Sequence, residues 1–352
     1  MTGGWPDPAR PSGHILLDFD LPGGDATMHD LSAATRIGLS LFVAGDEAAA
    51  IERLGPVAGD RWAGQLRYQL RDLLDLADPD AEVDIEGLAA DDGWLWIVGS
   101  HARTRRKPEK QDDETIDLGV LADLRDTRPR CVLARVPLIA DPAAPGALIP
   151  VAQDGMRRAG MIRQTKRGSA LAEAFAADPL IGPFTRVPAK EGGLDVEGIA
   201  VAGDRVALGL RGPVIGGHAL LVELRIAVTA KGRLKLAAPP VKRLLAMEGL
   251  GIRDLKRCDR DLLILAGPTT GLSGPVAIYR WRDWLLDAGS DADSVRLHRP
   301  ERILELPHGR GVDHPEGLAL WDDDRLLILC DSPAPARIAK GGFRADLFDL
   351  PG

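Results

Sequence analysis

A Glu-Gly motif occurs four times in the sequence, each time among apolar residues. Carboxylates are the ligands that hard cations prefer, and Ca²⁺ takes about six to eight oxygen ligands. One hypothesis is therefore that the motif glutamates bind Ca²⁺ or another divalent cation. The alternative is structural, with each glutamate accepting hydrogen bonds from backbone N–H groups of the next repeat. The motif glutamates are Glu86 in DIEGLA, Glu197 in DVEGIA, Glu248 in MEGLGI and Glu316 in HPEGLAL.

A second set of polar residues follows the motifs. Each motif is followed by an Asp/Gly turn and then by a second apolar run such as WLWIVG, which is the pattern of a β-hairpin. An antiparallel hairpin returns to the end at which it began, so the residues that close the second runs should lie beside the glutamates. The third motif departs from this spacing, because its second run ends near Thr269. The closing residues elsewhere are Asp46, Ser100 with His101 next to it, Arg211 and Asp331.

These side chains suggest several roles. His101 titrates near neutral pH, so with Glu86 it is a candidate catalytic acid and base. Arg211 either pairs with Glu197 or holds an anionic ligand. A weaker fifth copy of the motif, in which Asp30 precedes Leu31 and Ser32, adds one more acidic group. The candidate ligand-binding residues are Ser100, Arg211, Asp46, Asp331 and Asp30.

Elements that repeat in this way must place the motifs around a common axis. Most intervals between copies are near the length of one four-stranded propeller blade. The sequence therefore predicts an all-β fold, a single β-propeller with five blades, or six as the second choice. Strand-like segments at both ends of the chain are expected to share the closing blade, because an open stack of sheets would leave exposed edges.

The long interval between Glu86 and Glu197 predicts an insertion. We place one propeller domain at residues 14–352, with an insertion or long loop at about 102–190 and a disordered N-terminus at 1–13. The segment Ser169 to Pro179 predicts a short helix, since it begins with a capping residue, is rich in Ala and ends at Pro.

Composition excludes several classes of protein. The 352 residues carry a net charge of -8, which argues against a nucleic-acid partner. No apolar run reaches the roughly 18 residues that predict a membrane span, and the N-terminus has no secretory signal pattern. The three cysteines lie far apart, which indicates buried thiols in a reducing compartment. We expect a cytoplasmic protein with no membrane partner.

The motif segments also resemble a known family. DIEGLA…WIVGSHAR, CVLARVPL, DVEGIA…LGLRGPV and HPEGLAL resemble an uncharacterised bacterial family of propeller-like proteins, a domain of unknown function. That family is similar to phytase-like and esterase-like propellers, and the resemblance extends roughly from Asp18 to Asp331. It implies a propeller fold. The phytase-like relatives imply Ca²⁺-dependent phosphoester hydrolysis at an acidic channel mouth, although here only Arg211 and Arg103 lie near the motifs as cations.

Two functions are compatible with these observations. The first is a metal-dependent hydrolase that acts on a small phosphoester, ester or lactone at the mouth of the channel. The second is a non-catalytic propeller that binds a small molecule or a protein there, which the absence of a recognised catalytic motif favours.

Overall fold

The computed structural model describes residues 5–45, 49–105, 117–125, 127–287, 294–339 and 342–351. Within these ranges the chain is all-β, with few short helices, as the sequence predicts. Asp46, a candidate ligand-binding residue, lies outside the described residues, and so do residues 1–4 of the N-terminal segment. No helix in the described ranges has the length and apolar character that crossing a membrane requires.

The first strand pairs in parallel with the last strand of the unit that follows it. Strand β1 (Gly13–Asp18) is followed by the short helix α1 (Gly24–His29). The next four strands form an antiparallel unit and pair in chain order: β2 (Leu31–Ile37), β3 (Ser40–Gly45), β4 (Ala50–Pro56) and β5 (Arg61–Gln69). A single helical turn, α2 (Leu70–Leu73), leads to the second unit.

The second unit contains the predicted insertion. Its main strands are β6 (Ile85–Asp91), β7 (Trp94–Gly99) and β8 (Leu133–Ala140), and α3 (Leu118–Ala122) and a 3-10 turn at Arg128–Arg130 precede β8. Six very short strands follow: β9 (Leu148–Pro150), β10 (Gln153–Asp154), β11 (Arg157–Arg158), β12 (Gly160–Met161), β13 (Gln164–Thr165) and β14 (Gly168–Ser169). Strand β12 pairs with β8 and is the fourth strand of the unit.

A helix and two 3-10 turns end the insertion. Helix α4 (Ala170–Ala177) begins after Ser169, whose hydroxyl accepts a hydrogen bond from the Ala172 N–H at 3.2 Å. This is an N-cap that satisfies one of the free N–H groups at a helix start. The predicted short helix is therefore confirmed. The turns span Gly182–Arg186 and Ala189–Glu191.

The third and fourth units follow without large insertions. The third consists of β15 (Asp195–Ala202), β16 (Arg205–Ile215), β17 (His218–Val228), β18 (Leu234–Leu236) and β19 (Val241–Leu245). The fourth has β20 (Gly251–Cys258), β21 (Asp261–Gly267), β22 (Val276–Trp281) and β24 (Glu301–Leu306). A 3-10 turn at Trp284–Leu286 and strand β23 (Arg296–His298), which pairs with β19, lie before β24.

The last unit takes strands from both ends of the chain. Strands β25 (His314–Leu320) and β26 (Arg325–Asp331) form its hairpin, and after a 3-10 turn at Pro335–Arg337 come β27 (Ile338–Ala339) and β28 (Gly342–Asp349). Strand β28 pairs with β26 on one side and with the N-terminal β1 on the other. The two ends of the chain are thus hydrogen-bonded to each other.

The Asp/Gly turns between apolar runs form hairpins, as predicted. Between β6 and β7 the loop has two residues, Asp92 with φ 46° and Gly93 with φ 74°. Two consecutive residues with positive φ make the turn whose twist matches that of paired strands, and Asp-Gly is a favoured sequence for it. The local sequence therefore determines where the hairpin turns.

The first strands of successive units contact one another in a closed cycle. The order of contact is β2, β6, β15, β20, β25 and β2 again. A hydrophobic core lies between each unit and the next; for example, Trp96 and Val98 of the second unit share a core with Ile199 and Leu208 of the third. Sheets arranged radially around an axis, with cores between them, are the architecture of a β-propeller.

Candidate functional site

A β-bulge occurs at the same place in every first hairpin that the structure describes. The register of the first strand shifts by one residue, which leaves one residue unpaired. A bulge bends the strand and re-aims its side chain, and bulges are common beside functional sites. We call the unpaired residues the bulge residues; they are Ser32, Glu86, Glu197, Arg253 and Glu316.

The glycines after Glu86 and Glu197 are explained by close packing of the first strands, whereas a Cβ on Gly317 would meet Leu329 of its own hairpin. A Cβ atom on Gly198 would lie 2.8 Å from the backbone nitrogen of Leu255 in the next unit. A Cβ on Gly87 would lie 2.9 Å from the Ile199 side chain in the same way. The glycine of the Glu-Gly motif therefore permits close contact between units, while the glutamate faces elsewhere.

The alignment of the third motif requires a correction. Glu248 and Gly249 both have positive φ and form a turn before β20, so they do not occupy the bulge. The Glu248 side chain is 53 % exposed, accepts a hydrogen bond from the Tyr279 hydroxyl and does not line the cavity described below. The bulge residue of this unit is Arg253. The Glu-Gly pattern is misleading in this unit because Arg253-Asp254 stands at the equivalent position. The late end of the second run, near Thr269, was the sign in the sequence that this unit differs.

All three bulge glutamates line one cavity of about 540 Å³. The cavity also contains carboxylates that the sequence reading did not single out, among them the aspartates two positions before Glu86 and Glu197. We call its six inner acids the carboxylate cluster: Asp84, Glu86, Asp195, Glu197, Glu316 and Asp331. The D-x-E-G spacing in the sequence was the signal for the two additional aspartates.

The centre of the cluster has the arrangement of a cation site. One carboxylate oxygen each of Glu86, Asp195 and Glu197 lies within 4.8 Å of the other two. Asp195 and Glu197 are buried, whereas Glu86 keeps some surface toward the cavity. Among the described residues, no cation or hydrogen-bond donor pairs with Glu86. Oxygens at this spacing can converge on a hard cation such as Ca²⁺.

Two arginines, the partly buried Arg211 and the buried Arg253, neutralise part of this charge. Arg211 donates a hydrogen bond to Asp195, and its Nε lies 2.9 Å from Glu197 Oε1 without hydrogen-bond geometry. Arg253 pairs with Glu316, and its Nη1 lies 3.2 Å from Glu197 Oε2. This Glu197 oxygen accepts no hydrogen bond from any described residue. Of the two roles predicted for Arg211, the structure provides the ion pair.

Burial and crowding of like charges raise several pKa values in the cluster. Burial raises the pKa of Glu86 well above its ordinary value, and the neighbouring Asp84 and Glu197 raise it further. Burial also raises the pKa of Glu197 to about 8, although Arg211 and Arg253 oppose the shift. The pKa of Asp331 rises to about 7 through burial and the nearby Glu316. A site with these shifts favours an added proton or an added cation.

His101 does not face the cluster. Its backbone has φ 53°, its Nδ1 lies 2.9 Å from the Gly99 carbonyl oxygen, and its ring packs against Phe175 with centroids 6.0 Å apart. Burial lowers its pKa to about 4. The side chain is buried and does not line the cavity. The structure therefore does not bring His101 and Glu86 together.

Ser100 contacts the cluster through Asp84. Its buried hydroxyl donates a hydrogen bond to Asp84, which also accepts one from Arg130 at 2.7 Å. Burial raises the pKa of Asp84 to about 6, while Arg130 and Ser100 lower it. Of the other predicted ligand-binding residues, Asp331 lines the cavity and Asp30 does not.

The outer part of the cavity has two unlike walls. One is basic, and its cations come from the insertion: Arg103, Arg105, Arg125 and Lys190. Of these cations, only Arg103 lies near a motif in the sequence. The others come close to the cavity because the insertion folds against it. The second, which we call the apolar wall, is defined by the lining residues Pro268, Leu272, Val276 and Pro315.

Several solved structures are similar to this chain over most of its length. A GH43_1 enzyme from Xanthomonas citri has 12 % identity, 92 % of this chain and 88 % of that chain covered, and a TM-score of 0.42. A glutaminyl cyclase from Myxococcus xanthus has 10 % identity and a TM-score of 0.42, with 97 % of each chain covered. Regucalcin, a calcium-binding protein from Agrobacterium tumefaciens, has 10 % identity and a TM-score of 0.35, with 93 % of this chain and 92 % of that chain covered. Similarity at this level identifies no activity for the chain.

A comparison with curated proteins finds no match. A family model does match, and it spans residues 30–345, which include every described bulge residue and the whole carboxylate cluster. The family is described only as a protein of unknown function. The match covers most of the sequence, and the chain therefore belongs to the DUF3616 family.

Proposed function

We propose that this protein binds a divalent cation between Glu86, Asp195 and Glu197. The observation that carries the proposal is unused bonding capacity at this point: Glu86 has no partner among the described residues, and one oxygen of the buried Glu197 accepts no hydrogen bond, although Arg253 Nη1 lies 3.2 Å from it. Buried carboxylates are costly unless they are paired, protonated or bound to a metal. The oxygen-only ligand set suits Ca²⁺ or Mg²⁺ better than a transition metal.

We further propose that the bound cation supports hydrolysis of a small phosphoester, ester or lactone. A cation in such a site polarises a carbonyl or phosphoryl oxygen and lowers the pKa of a bound water. The chain's own residues would then orient the substrate, with the open cavity of about 540 Å³ admitting a small molecule. The resemblance to phytase-like and esterase-like propellers is a separate hypothesis.

A non-catalytic binding role is the second candidate. It is favoured by Arg211, which already pairs with both Asp195 and Glu197 and so satisfies part of the cluster without a cation. In that case the cavity would hold a small molecule or a protein segment without turnover.

Calorimetric titration with Ca²⁺, Mg²⁺ and Mn²⁺ tests the cation site. We expect the wild type to bind at least one of these ions, and Glu86→Gln to weaken binding about tenfold or more, because ligand charge sets affinity in such sites. Glu248→Gln is the matched control, since its side chain lies outside the cavity. Equal affinity of Glu86→Gln and wild type, or no binding by either, would show that the site is wrong.

Turnover separates the two candidate functions. Esters, lactones and phosphoesters with a coloured or acidic product are supplied with and without a chelator. If the wild type hydrolyses a substrate only with the cation and Glu86→Gln has lost this activity, the hydrolase is supported. If the protein binds the cation but hydrolyses no substrate of any class, the binding role is supported.

We also propose that the propeller has five blades closed by the N- and C-terminal strands. Support comes from the four-stranded units of the described residues, the closed cycle of contacts from β2 to β25 and back, and the pairing of β1 with β28.

A further inference from the structure

The apolar wall distinguishes among the substrates that the proposed function allows. Leu272 stands on the loop between β21 and β22, lines the cavity and is 76 % exposed. Val276 and Pro315 also line the cavity and are buried, and Pro315 directly precedes the bulge residue Glu316. Exposed apolar surface that continues into a polar cavity marks a place where a ligand buries apolar atoms. A small inorganic or fully polar ligand would leave this wall in water.

The charges of the cluster oppose an anionic reacting group. Among the described residues, the cluster has six carboxyl groups, and four of them pair with the guanidinium groups of Arg130, Arg211 and Arg253. One divalent cation would leave this part of the cavity without a positive surplus. A dianionic phosphoryl group placed there would meet unfavourable charge, whereas an uncharged carbonyl group would not.

The basic wall does not change this balance beside the cluster. Arg105 is paired with Glu191, and Arg103 donates to the Thr185 carbonyl oxygen at 2.9 Å. Arg125 and Lys190 are exposed to solvent, where a charge attracts an anion only weakly. These two residues make a phosphoester the necessary comparison in any test.

We infer that the substrate is an uncharged carboxylic ester or lactone whose apolar acyl group packs against Leu272, Val276 and Pro315. This inference rests on the proposed cation site and narrows its substrate class. In the reaction, water adds to the carbonyl carbon and the acyl C–O bond breaks. One proton of the water passes to the departing alkoxide oxygen, so that an ester yields an acid and an alcohol, and a lactone yields a hydroxy acid.

The test compares acyl chain lengths in the full-length protein with its preferred cation. The substrates are p-nitrophenyl acetate, butyrate and hexanoate, with p-nitrophenyl phosphate as the anionic comparison. We expect kcat/KM to rise about tenfold from acetate to butyrate, because each buried methylene adds favourable transfer energy. Leu272→Ser should reduce this ratio to about threefold or less, since it removes the most exposed part of the wall. Leu286→Ser is the control, because Leu286 is 65 % exposed and does not line the cavity.

Cation affinity is measured by calorimetry on the same samples, so that the two proposals can fail separately. Absence of cation binding overturns the proposed function. Cation binding together with a preference for the phosphate, an unchanged acyl-length ratio in Leu272→Ser, or no turnover of any ester overturns only the substrate class.

Discussion

The carboxylate cluster is the unusual chemical feature of this molecule at the scale of single residues. Most buried acids in proteins have a cationic or hydrogen-bonding partner. Here Arg211 and Arg253 serve Asp195, Glu197 and Glu316, and Glu86 is left without one among the described residues. Burial is the main cause that raises the pKa values of Glu86 and Glu197, and at Glu197 the two arginines oppose the rise.

The raised pKa of Glu197 predicts how stability depends on pH in the absence of metal. In the unfolded chain this group titrates near its ordinary value of 4.5, and in the folded protein at about 8. The folded state therefore holds the proton more tightly, and its contribution to stability is fully present below about pH 4.5 and is lost as pH rises through about 8. We expect the unfolding free energy of the chelator-treated protein to fall between pH 5 and pH 8 for this reason.

Urea denaturation at several pH values checks the prediction. Glu197→Gln should flatten the decline, because an amide does not titrate in this range, and the exposed Glu248→Gln should leave the decline as in wild type. An equally steep decline in Glu197→Gln would mean that another group is responsible.

At the scale of elements, the first hairpin of each unit combines a fixed backbone with a variable side chain. The bulge residue lines the cavity in four of the five described units, and the glycine after Glu86 and Glu197 allows close contact with the neighbouring first strand. The bulge residue can therefore change from Ser to Glu to Arg without a change in the strand that carries it. Such a scaffold is suited to site variation.

The close contact between first strands predicts a large effect for Gly198→Ala. The added Cβ would lie 2.8 Å from the Leu255 nitrogen and 2.9 Å from the Asp254 carbonyl carbon, both backbone atoms that cannot turn aside. We expect a loss of about 1–3 kcal/mol in unfolding free energy, as for other overpacked sites. Gly271→Ala, which would meet nothing within 4 Å, is the control in the same denaturation experiment. Equal stability of the two variants would contradict the packing argument.

At the scale of the whole molecule, stability depends on the junction between the chain ends. Strand β1 pairs with β28 over its whole length, and Leu17 is fully buried in the core shared by the first and last units. Strand β1 also pairs in parallel with β5, so this junction joins the first and last units.

Leu17→Ala should therefore destabilise the entire propeller. We expect a loss of about 2–5 kcal/mol, the range for truncation of a buried leucine. Leu286→Ala, at an exposed position, should change stability by less than about 0.5 kcal/mol. Differential scanning calorimetry would show the effect as one shifted transition; an early transition confined to the last unit would show that the ring does not unfold cooperatively.

Local patterns in the sequence were sufficient for the hairpins, the helix after Ser169 and the repetition of the units. Each depends on interactions within a few residues, such as the positive φ of Asp92 and Gly93 or the capping of Ala172 by Ser169. The sequence also indicated that Glu86, Glu197 and Glu316 belong together, because repeated units place equivalent positions around one axis.

Only the tertiary structure decided which side chains meet and which do not. It placed Arg253 instead of Glu248 in the bulge, directed His101 toward Phe175, and brought Asp84, Asp195 and the cations of the insertion to the cavity. These outcomes depend on strand register and on contacts between distant segments. A one-residue shift in register redirects a side chain without altering the local pattern, so the pattern could not reveal it.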